Sequence, residues 1–484
     1  MSDRRRHRAR ARPLPIPLAR AGVATVAALS ALAAMGASPA VGASPVGAAT
    51  RMAAKATACD LPALAHHSGT VDIDFWESMV QANGTTLTTL TDKFNASQTK
   101  VHVNLVQQKS YTTTWTKYQA GLSNGQLPDV VQLTRIDLQG MVDSRSVLPA
   151  QACMKAAHYK TSDFIPRVLA AYKVNGVEVG MPFALSTPVL IYNKLAFTAA
   201  GISAPPATLH QMVADAAVLK AHGSGMGLKL DPWHLETWLA TANQLFVNNG
   251  NGQHGRATKA AFDTATGRKI WAELAPMVRS GDATTNLAQG TGQYDNLLGI
   301  GAGKYAMSIT TSAVLGTVTA LLASGNYPNV QLGVAPFPVY STKKKGGIEP
   351  GGSALYISNR VPTLDQAAAW DYIAFLDSTA SQATWAAGTG YIPIRKSATK
   401  TPTVQGLWQS NPGYKVSYAQ MVDGGSSAAT AGAVIGPYPQ VRQAELAGEE
   451  AMFQQGVSPA KAISSTAAKV GQILAQYNRR VGGS

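Results

Sequence analysis

Apolar and polar residues along this chain form two successive series of strand and helix patterns. In the first series, alternation predicts strands over residues 71–76 and 101–106, and a short apolar run predicts a third strand over 129–133. Apolar residues at helical spacing lie between these strands, in TLTTLTDKF (86–94) and WTKYQAGL (115–122). Strands that alternate with helices pair in parallel through right-handed crossovers, so the first series predicts an α/β lobe.

A second series with the same mixture of patterns begins after residue 188. Strand patterns lie at 188–193, 304–310, 330–338 and 351–358, and helical patterns at 208–223, 259–281, 313–325, 363–378 and 456–477. A Thr cap and a terminal Gly bound the helix over 208–223, and the segment TATG predicts an interruption of the helix over 259–281.

The stretch FALSTPVLIYNK, residues 183–194, joins the two series. Two hydroxyl residues, Ser186 and Thr187, and then Pro188 stand before an apolar run that predicts a strand. The chain therefore breaks between the two series at a pair of small polar side chains.

The first fifty residues differ from the rest and predict a secretory signal peptide over residues 1–50. A basic start, RRRHRARAR, precedes an apolar run rich in Ala and Gly with A-x-A-like sites near its end. A single membrane anchor is the alternative, but the small side chains and the lack of a charged stop after the run disfavour it. Residues 51–64 are Ala-rich without a period and predict a linker, and the whole leader predicts export.

The leader also changes the interpretation of the charge. The formal net charge of +15 falls to +9 once the seven Arg and one Asp of residues 1–50 are set aside. The remaining excess is dispersed, and no basic stripe with interleaved aromatic residues is present, so no nucleic-acid partner is expected. A hydrophobic content of 45% in 484 residues predicts a globular protein of two or three domains.

Two cysteines, Cys59 and Cys153, are the only ones in the sequence. In an exported protein such a pair predicts a disulfide. Two unpaired thiols are the alternative, and a lipid anchor at Cys59 is a third possibility that the absence of an apolar run directly before it disfavours.

Motifs of several enzyme classes are missing from the sequence. It contains no G-x-x-x-x-G-K-[ST], no H-E-x-x-H, no Cys/His cluster and no G-x-S-x-G. No nucleotide, metal or other cofactor is therefore expected, and a serine hydrolase has no recognisable nucleophile. A glycosidase needs only two facing carboxylates, which a single sequence does not exclude.

Six stretches occur in the order found in one family: FWESM (75–79), LPDVVQL (127–133), STPVLIYNK (186–194), GGSALYI (351–357), TGYIPI (389–394) and GPYPQVR (436–442). They resemble the extracellular solute-binding proteins of ABC importers, the maltose-binding-like class. The resemblance is closest to the branch that binds glycerol-3-phosphate and glycerophosphodiesters. The stretch LPDVVQL is common to many solute-binding proteins, whereas STPVLIYNK together with GYIPI and the late PQVR is more specific to the branch.

The resemblance implies an α/β fold of two lobes, the type II periplasmic-binding-protein fold, with a ligand cleft between lobes that chain crossings join. Crossings are expected at 184–188, near 351–355 and near 391–395. The expected parts are residues 65–184 and 355–391 for the first lobe, and 185–352 and 395–478 for the second. The segment FALSTP is then a hinge strand whose hydroxyl groups line the cleft and hydrogen-bond a polar solute.

The resemblance also implies a set of ligand contacts. They are expected at Tyr111, Ser186, Trp233, Ser312 or its neighbour Thr311, Gly352, Tyr391 and Arg442. In this family the Arg supplies the cation for the phosphate, the Trp packs on the glycerol part, and the Gly offers a backbone N–H. A phosphodiester is well matched by a guanidinium with hydroxyl and backbone donors, and glycerol by a flat aromatic wall.

The chain departs from the family pattern at two ligand positions. Arg135 stands where other members carry an acidic residue for the glycerol hydroxyls, and Asp137 is a candidate to replace that acid. Leu230 stands where some members carry a second Trp near Trp233, which would widen the pocket and suit a diester with a head group.

The resemblance thus implies a non-catalytic binding protein, exported and monomeric, that captures glycerol-3-phosphate or a glycerophosphodiester and delivers it to the transmembrane subunits of an ABC permease. The alternative is a sugar- or oligosaccharide-binding protein of the same class. An extracellular hydrolase is the third possibility and lacks a recognisable acid/base pair.

Overall fold

Two large β-sheets, a third sheet of only two strands and the helices packed around them form the part of the chain that the structure, a computed structural model, describes: residues 58–287, 295–343 and 346–482. The strands are β1 (Val71–Glu77), β2 (Val101–Gln107), β3 (Val130–Thr134), β4 (Val147–Leu148), β5 (Lys173–Val174), β6 (Val177–Glu178), β7 (Met181–Ser186), β8 (Pro188–Asn193), β9 (Gly225–Leu230), β10 (Ala283–Leu287), β11 (Tyr305–Thr311), β12 (Leu332–Pro336) and β13 (Gly351–Ser358). The helices are α1 (Leu61–His66), α2 (Gln81–Ser97), α3 (Tyr111–Asn124), α4 (Leu138–Ser144), α5 (Ala150–Ala156), α6 (Pro166–Ala170), α7 (Lys194–Ala199), α8 (Leu209–Ala221), α9 (Pro232–Thr241), α10 (Asn248–Asn251), α11 (Ala265–Arg279), α12 (Asp295–Gly301), α13 (Leu315–Ala323), α14 (Thr363–Leu376), α15 (Thr379–Gly388), α16 (Pro402–Ser410), α17 (Gly413–Asp423), α18 (Ala428–Ala431), α19 (Tyr438–Phe453) and α20 (Pro459–Gly482).

The first sheet has the strand order β2-β1-β3-β13-β4, and β7 also pairs with β13. Strand β1 is parallel to β2 and β3, as the alternation of strands and helices predicts, whereas β13 is antiparallel to β3, β4 and β7. Strand β1 buries Val71, Ile73 and Phe75 and exposes Asp72 and Asp74. The alternation of apolar and acidic residues in β1 therefore corresponds to one buried and one exposed face over residues 71–75.

The second sheet has the order β10-β9-β11-β8-β12. Strands β9, β10 and β11 are parallel, and β8 is antiparallel to both β11 and β12. Its core includes Leu219 of α8, Trp271 of α11, Met452 of α19 and Leu474 of α20, each at most 4% exposed. The last helices of the chain therefore pack on the second sheet.

Only Thr187 separates β7, in the first sheet, from β8, in the second. Ser186 pairs with Gly351 at the start of β13, and the N–H of Ile392 donates to the carbonyl of Leu185 at 2.7 Å. The three segments that the sequence predicts as crossings therefore lie side by side. The chain breaks after Ser186 because it leaves one sheet for the other.

The N-terminal part of the described chain is more ordered than the sequence suggests. The linker predicted over residues 51–64 is wrong from Leu61 onward, because Leu61–His66 forms α1. Cys59 and Cys153 form a disulfide with their Cα atoms 4.9 Å apart, and both side chains pack in the core of the first sheet. The signal peptide predicted over residues 1–50 lies outside the described residues. Within the described ranges, none of the helices combines the length and the apolar character that crossing a membrane requires.

The helix predicted over residues 259–281 begins later than expected. Helix α11 starts at Ala265, and the side chain of Thr264 caps it by accepting from the N–H of Gly267 at 3.1 Å. The TATG segment is thus the start of a helix and not an interruption within one.

One predicted lobe boundary also differs from the packing. Ala398 and Val404 were expected in the second lobe but pack against Ala383 and Ala386 of α15. Helix α17, which follows, packs on the second sheet through β12. The other boundaries stay predictions.

Candidate functional site

A cavity of about 780 Å³ lies where the crossing segments meet, and residues of both sheets line it. Seven of the nine residues expected to contact a ligand line this cavity: Tyr111, Arg135, Ser186, Trp233, Gly352, Tyr391 and Arg442. Ser186, Gly352 and Tyr391 come from three separate crossing segments, so the expectation that they border one common cleft is met.

The wall at the crossing depends on two glycines. Gly352 has φ +107°, and a Cβ there would collide with the carbonyl oxygen of Ala184 on the paired strand. A Cβ at Gly351 would press on the indole of Trp233 and lie 3.0 Å from the hydroxyl oxygen of Ser186. Because both positions lack side chains, the backbone comes close to the Trp233 ring and stays open to the cavity.

Two tyrosines form another part of the lining. The Tyr111 hydroxyl donates to the Ser353 hydroxyl at 3.3 Å. Burial raises the pKa of Tyr111 to about 12, although hydrogen bonds with Ser353 and Tyr391 act in the opposite direction. The Tyr391 ring stacks on Trp385, with ring centroids 5.3 Å apart. Tyr111 thus remains a neutral phenol at physiological pH and can donate or accept a hydrogen bond.

Arg442, in the second turn of α19, is held by a carboxylate behind the cavity wall. Its Nε donates to Glu236 Oε1 at 3.1 Å and its Nη2 to Glu236 Oε2 at 2.5 Å. Its side chain is 22% exposed, whereas that of Glu236 is fully buried. Burial acts to lower the pKa of Arg442, but Glu236, Tyr438 and Asp231 together outweigh it and raise that pKa well above its ordinary value. The guanidinium is therefore a fixed cation at the cavity surface.

Arg135, the departure from the family pattern, also lines the cavity and also has an acidic partner. Its Nη2 donates to Glu349 Oε1 at 2.5 Å and its Nη1 to the carbonyl of Ala433 at 3.1 Å. Asp137, the candidate to replace the missing acid, is 3% exposed, accepts from the Thr134 hydroxyl at 2.8 Å and does not line the cavity. Burial raises the pKa of Asp137 to about 7, so near neutral pH it is partly protonated.

A third cation and carboxylate lie at the start of α9. Lys229 Nζ is 3.4 Å from Asp231 Oδ2, and both residues line the cavity. Asp231 Oδ1 caps the helix by accepting from the Trp233 N–H at 3.2 Å. Burial acts to raise the pKa of Asp231, but Lys229, His234 and Arg442 outweigh it and lower the pKa to about 2. Asp231 is therefore a permanent anion that fixes the helix carrying Trp233.

The N-terminus of α2 contributes backbone donors. Val80, Gln81 and Asn83 line the cavity, and no side chain caps the first turn of this 17-residue helix. Asn83 Nδ2 donates to the carbonyl of Ala313 across the cavity at 3.1 Å, while its Oδ1 has no hydrogen-bond partner within the described residues. Uncapped N–H groups at a helix start favour negative charge or hydroxyl oxygens nearby.

Two expected ligand contacts do not line the cavity. Leu230 is 1% exposed and belongs to the core of the second sheet, because alternate residues of β9 face opposite sides and Lys229 takes the cavity side. Ser312 is fully buried, and its hydroxyl accepts from the N–H of Thr187 at 3.3 Å. Its neighbour Thr311, the alternative named from the sequence, lines the cavity instead.

Several residues of the site were missed from the sequence: Asn83, Lys109, Lys229, Asp231, Glu236 and Glu349. For Asp231 a signal existed, since Asp followed by Pro is a common helix start. No sequence signal pointed to Glu236 or Glu349, because their partners Arg442 and Arg135 are 206 and 214 residues away in the sequence. In the described ranges, no group of three or more His, Cys, Asp or Glu residues is arranged to hold a metal ion.

A family model described as bacterial extracellular solute-binding protein matches residues 89–416. The sn-glycerol-3-phosphate-binding periplasmic protein UgpB of Yersinia pestis is 26% identical over 422 residues, which cover 84% of this chain and 93% of that protein. UgpB of Escherichia coli (strain UTI89) is 26% identical over 441 residues, 89% of this chain and 98% of that protein.

Solved structures with the same fold include UgpB from Mycobacterium tuberculosis in complex with glycerophosphocholine, with a TM-score of 0.72, 20% identity and coverage of 84% and 100% of the two chains. The GacH receptor of Streptomyces glaucescens, solved unliganded and with acarbose, has a TM-score of 0.70, 21% identity and coverage of 84% and 99%. These likenesses confirm the two-lobe α/β fold predicted from the sequence.

Proposed function

We propose that this chain, which belongs to the bacterial extracellular solute-binding proteins, captures a glycerophosphodiester such as glycerophosphocholine, or glycerol-3-phosphate, for uptake. The observation that carries the proposal is Arg442, a cation fixed at the surface of a cavity that also presents the Trp233 ring and the Ser186 hydroxyl. The 26% identical relatives named for glycerol-3-phosphate binding support the same class of ligand.

The chemistry of a phosphodiester fits these groups. Its phosphate carries one negative charge and accepts hydrogen bonds, which the guanidinium of Arg442 and the hydroxyls of Ser186 and Thr311 can donate. Its glycerol part has a carbon face that packs on an aromatic ring and hydroxyl groups that need partners. Trp233 supplies the ring, and Tyr111 and Asp231 are hydrogen-bonding groups in the same cavity.

A head group such as choline needs a different kind of wall. A quaternary ammonium ion is attracted to the faces of aromatic rings and to nearby carboxylates. Trp233, Tyr111 and Tyr391 line the cavity together with Asp231 and Glu349. The cavity volume of about 780 Å³ is within the range that small-molecule sites use, so it can hold a glycerophosphodiester with its head group.

A sugar or oligosaccharide is the second candidate ligand. The observation that favours it is the fold shared with the GacH receptor solved with acarbose, together with the aromatic and hydroxyl lining. Neutral sugars, however, carry no anionic group for the N–H donors of Arg442 that Glu236 leaves free, and for this reason we prefer the phosphodiester.

We propose capture and not catalysis. The carboxylates that line the cavity in the described part of the chain are Asp231 and Glu349, and each forms an ion pair with a cation. A hydrolase would need one of them to face a water or a leaving group. We further propose that the protein is exported, acts as a monomer and hands its solute to the transmembrane subunits of an ABC permease, as is typical of the family that the sequence resembles.

The test is a ligand screen on the purified protein without its predicted leader. Thermal shift against glycerophosphocholine, glycerol-3-phosphate and maltose comes first, since a ligand that binds only the folded state raises the melting temperature. Titration calorimetry then gives affinities. We expect binding of at least one phosphate ligand and no release of choline or glycerol on long incubation. Binding of maltose alone would overturn the phosphate proposal, and product formation would overturn capture.

A further inference from the structure

The hydrogen bonds of Arg442 limit what it can offer a ligand. Its Nε and one N–H of Nη2 are directed at Glu236, in the side-on arrangement that binds a carboxylate or phosphate through two parallel hydrogen bonds. Only the Nη1 end and the second N–H of Nη2 remain for a ligand. A phosphate can therefore meet Arg442 only end-on, at Nη1 and Nη2, because the Nε–Nη2 side is already bonded to Glu236.

The same pairing recurs around the cavity. Three of the cations that line it within the described residues each contact one carboxylate, in the pairs Arg442–Glu236, Arg135–Glu349 and Lys229–Asp231. Lys109, at the exposed rim, is the exception among the lining cations that the structure describes. The interior of the cavity thus has cations for hydrogen bonding but little net positive charge.

We propose that Glu236 is a specificity-determining residue: by neutralising Arg442 and fixing its orientation, it makes the cavity prefer a phosphodiester with a cationic head group over a doubly charged phosphomonoester. The inference rests on the proposed function, because it requires that the phosphate lies at Arg442. Glu236 itself is buried and positions Arg442 without touching the ligand.

The preference follows from charge balance. A phosphomonoester carries between one and two negative charges near pH 7, because its second pKa is about 6. Each charge that leaves water for a partly buried site needs a compensating charge, and a paired Arg442 compensates only weakly. Glycerophosphocholine brings its own compensation, since its quaternary ammonium balances its single phosphate charge.

The neighbours of Glu236 supply a matched control. Glu445 and Glu449 lie on the same face of α19 as Arg442, one and two turns further along, and both are buried. Burial raises the pKa of each well above its ordinary value, and Glu236 acts in the same direction. Glu449→Gln is the control, because it places an amide in the same buried region and keeps Glu236, the hydrogen-bonding partner of Arg442.

The experiment measures affinities for glycerophosphocholine and glycerol-3-phosphate by calorimetry at pH 7.5. For Glu236→Gln we expect the ratio of the two affinities to move toward glycerol-3-phosphate by about tenfold or more, because one negative charge next to Arg442 is removed. Glu449→Gln should keep the wild-type ratio. Glu236→Asp keeps the charge but shortens the side chain, so it should weaken both ligands together and leave the ratio unchanged.

The outcomes separate this inference from the proposed function. A Glu236→Gln ratio equal to wild type, with both phosphates still bound, overturns the role of Glu236 and leaves the proposed function standing. A wild type that binds maltose and neither phosphate overturns both. If Glu236→Gln does not fold, wild type and Glu236→Asp decide: wild-type binding of glycerol-3-phosphate as tight as that of glycerophosphocholine, or a changed ratio in Glu236→Asp, overturns the inference.

Discussion

Replacing Arg442 by Ala is the most direct test of where the phosphate binds. The change removes the Nη1 and Nη2 donors from the cavity and also the only cation in contact with Glu236 among the described residues. Two effects therefore follow, one on ligand affinity and one on stability, and each has its own magnitude.

The loss of a charge-assisted hydrogen-bonding partner costs about 1.5–3 kcal/mol, which is about a tenfold to hundredfold loss of affinity. We expect the lower half of this range, because the Nε–Nη2 edge of Arg442 is already used by Glu236. The stability effect is larger. Breaking a buried ion pair on one side costs about 3–5 kcal/mol, because the remaining Glu236 carboxylate is fully buried without a counter-charge.

The assay is titration calorimetry with glycerophosphocholine, at a temperature where circular dichroism shows Arg442→Ala to be folded. Arg268→Ala is the matched control, since it also removes an Arg from an ion pair, but Arg268 is 52% exposed and does not line the cavity. Arg442→Lys should restore binding only in part, because an ammonium group cannot hold Glu236 through two parallel hydrogen bonds. If wild type binds glycerophosphocholine and Arg442→Ala binds it equally well, the phosphate does not lie at Arg442.

Three further predictions concern stability. Burial raises the pKa of Asp137 from 3.8 to about 7, so the folded state favours the protonated carboxyl, and the stability that this contributes is lost as the pH rises from 3.8 to about 7. Asp137→Asn should therefore flatten the pH dependence of urea unfolding between about pH 4 and 8, and an unchanged slope would contradict this. Replacing both cysteines by Ser should lower the free energy of unfolding by about 2–5 kcal/mol, measured by denaturant titration against the oxidised wild type, and an equal stability would show that the disulfide does not form. Gly432→Ala should destabilise by more than about 1 kcal/mol, because its φ of +76° and ψ of 172° lie in a region that essentially only glycine adopts and because a Cβ there would strike the Arg135 guanidinium. Gly125→Ala, at φ +75° and ψ 10° with open space around it, should cost less, and equal losses in thermal unfolding would contradict this.

The fold was predictable where the residue pattern has a single cause. Strand β1 alternates because one face is buried, and α8 carries a Thr208 cap and an apolar face. Strand β10 was not predicted, since its residues ATTNL are mostly polar and it lies at the edge of its sheet. The helices between residues 379 and 431 were also missed, because these helices are short and are rich in small or polar residues.

The site was predictable only as far as local motifs extend. Ser186, Gly352 and Tyr391 lie in recognisable segments, and the structure brings them together at the crossings. Leu230 was expected at the cavity because it matches a ligand-binding position of the family in the sequence. A sequence match alone does not show which side of a strand faces the ligand, and in this chain Lys229 faces it instead. Glu236 could not be inferred, since its role exists only through a contact with a residue 206 positions later.

The position of β13 in the first sheet has a consequence for how the protein is made. This strand lies between β3 and β4 and also pairs with β7, yet it comes after every strand of the second sheet. Gln132 and Ser353, which are hydrogen-bonded neighbours across β3 and β13, are 221 residues apart in sequence. A chain that has emerged only as far as β12 therefore has β3 with an unpaired edge, and such edges invite pairing between molecules. The first sheet cannot be completed before all the strands of the second sheet have been synthesised, so the folding of the first lobe depends on chain that follows the second sheet.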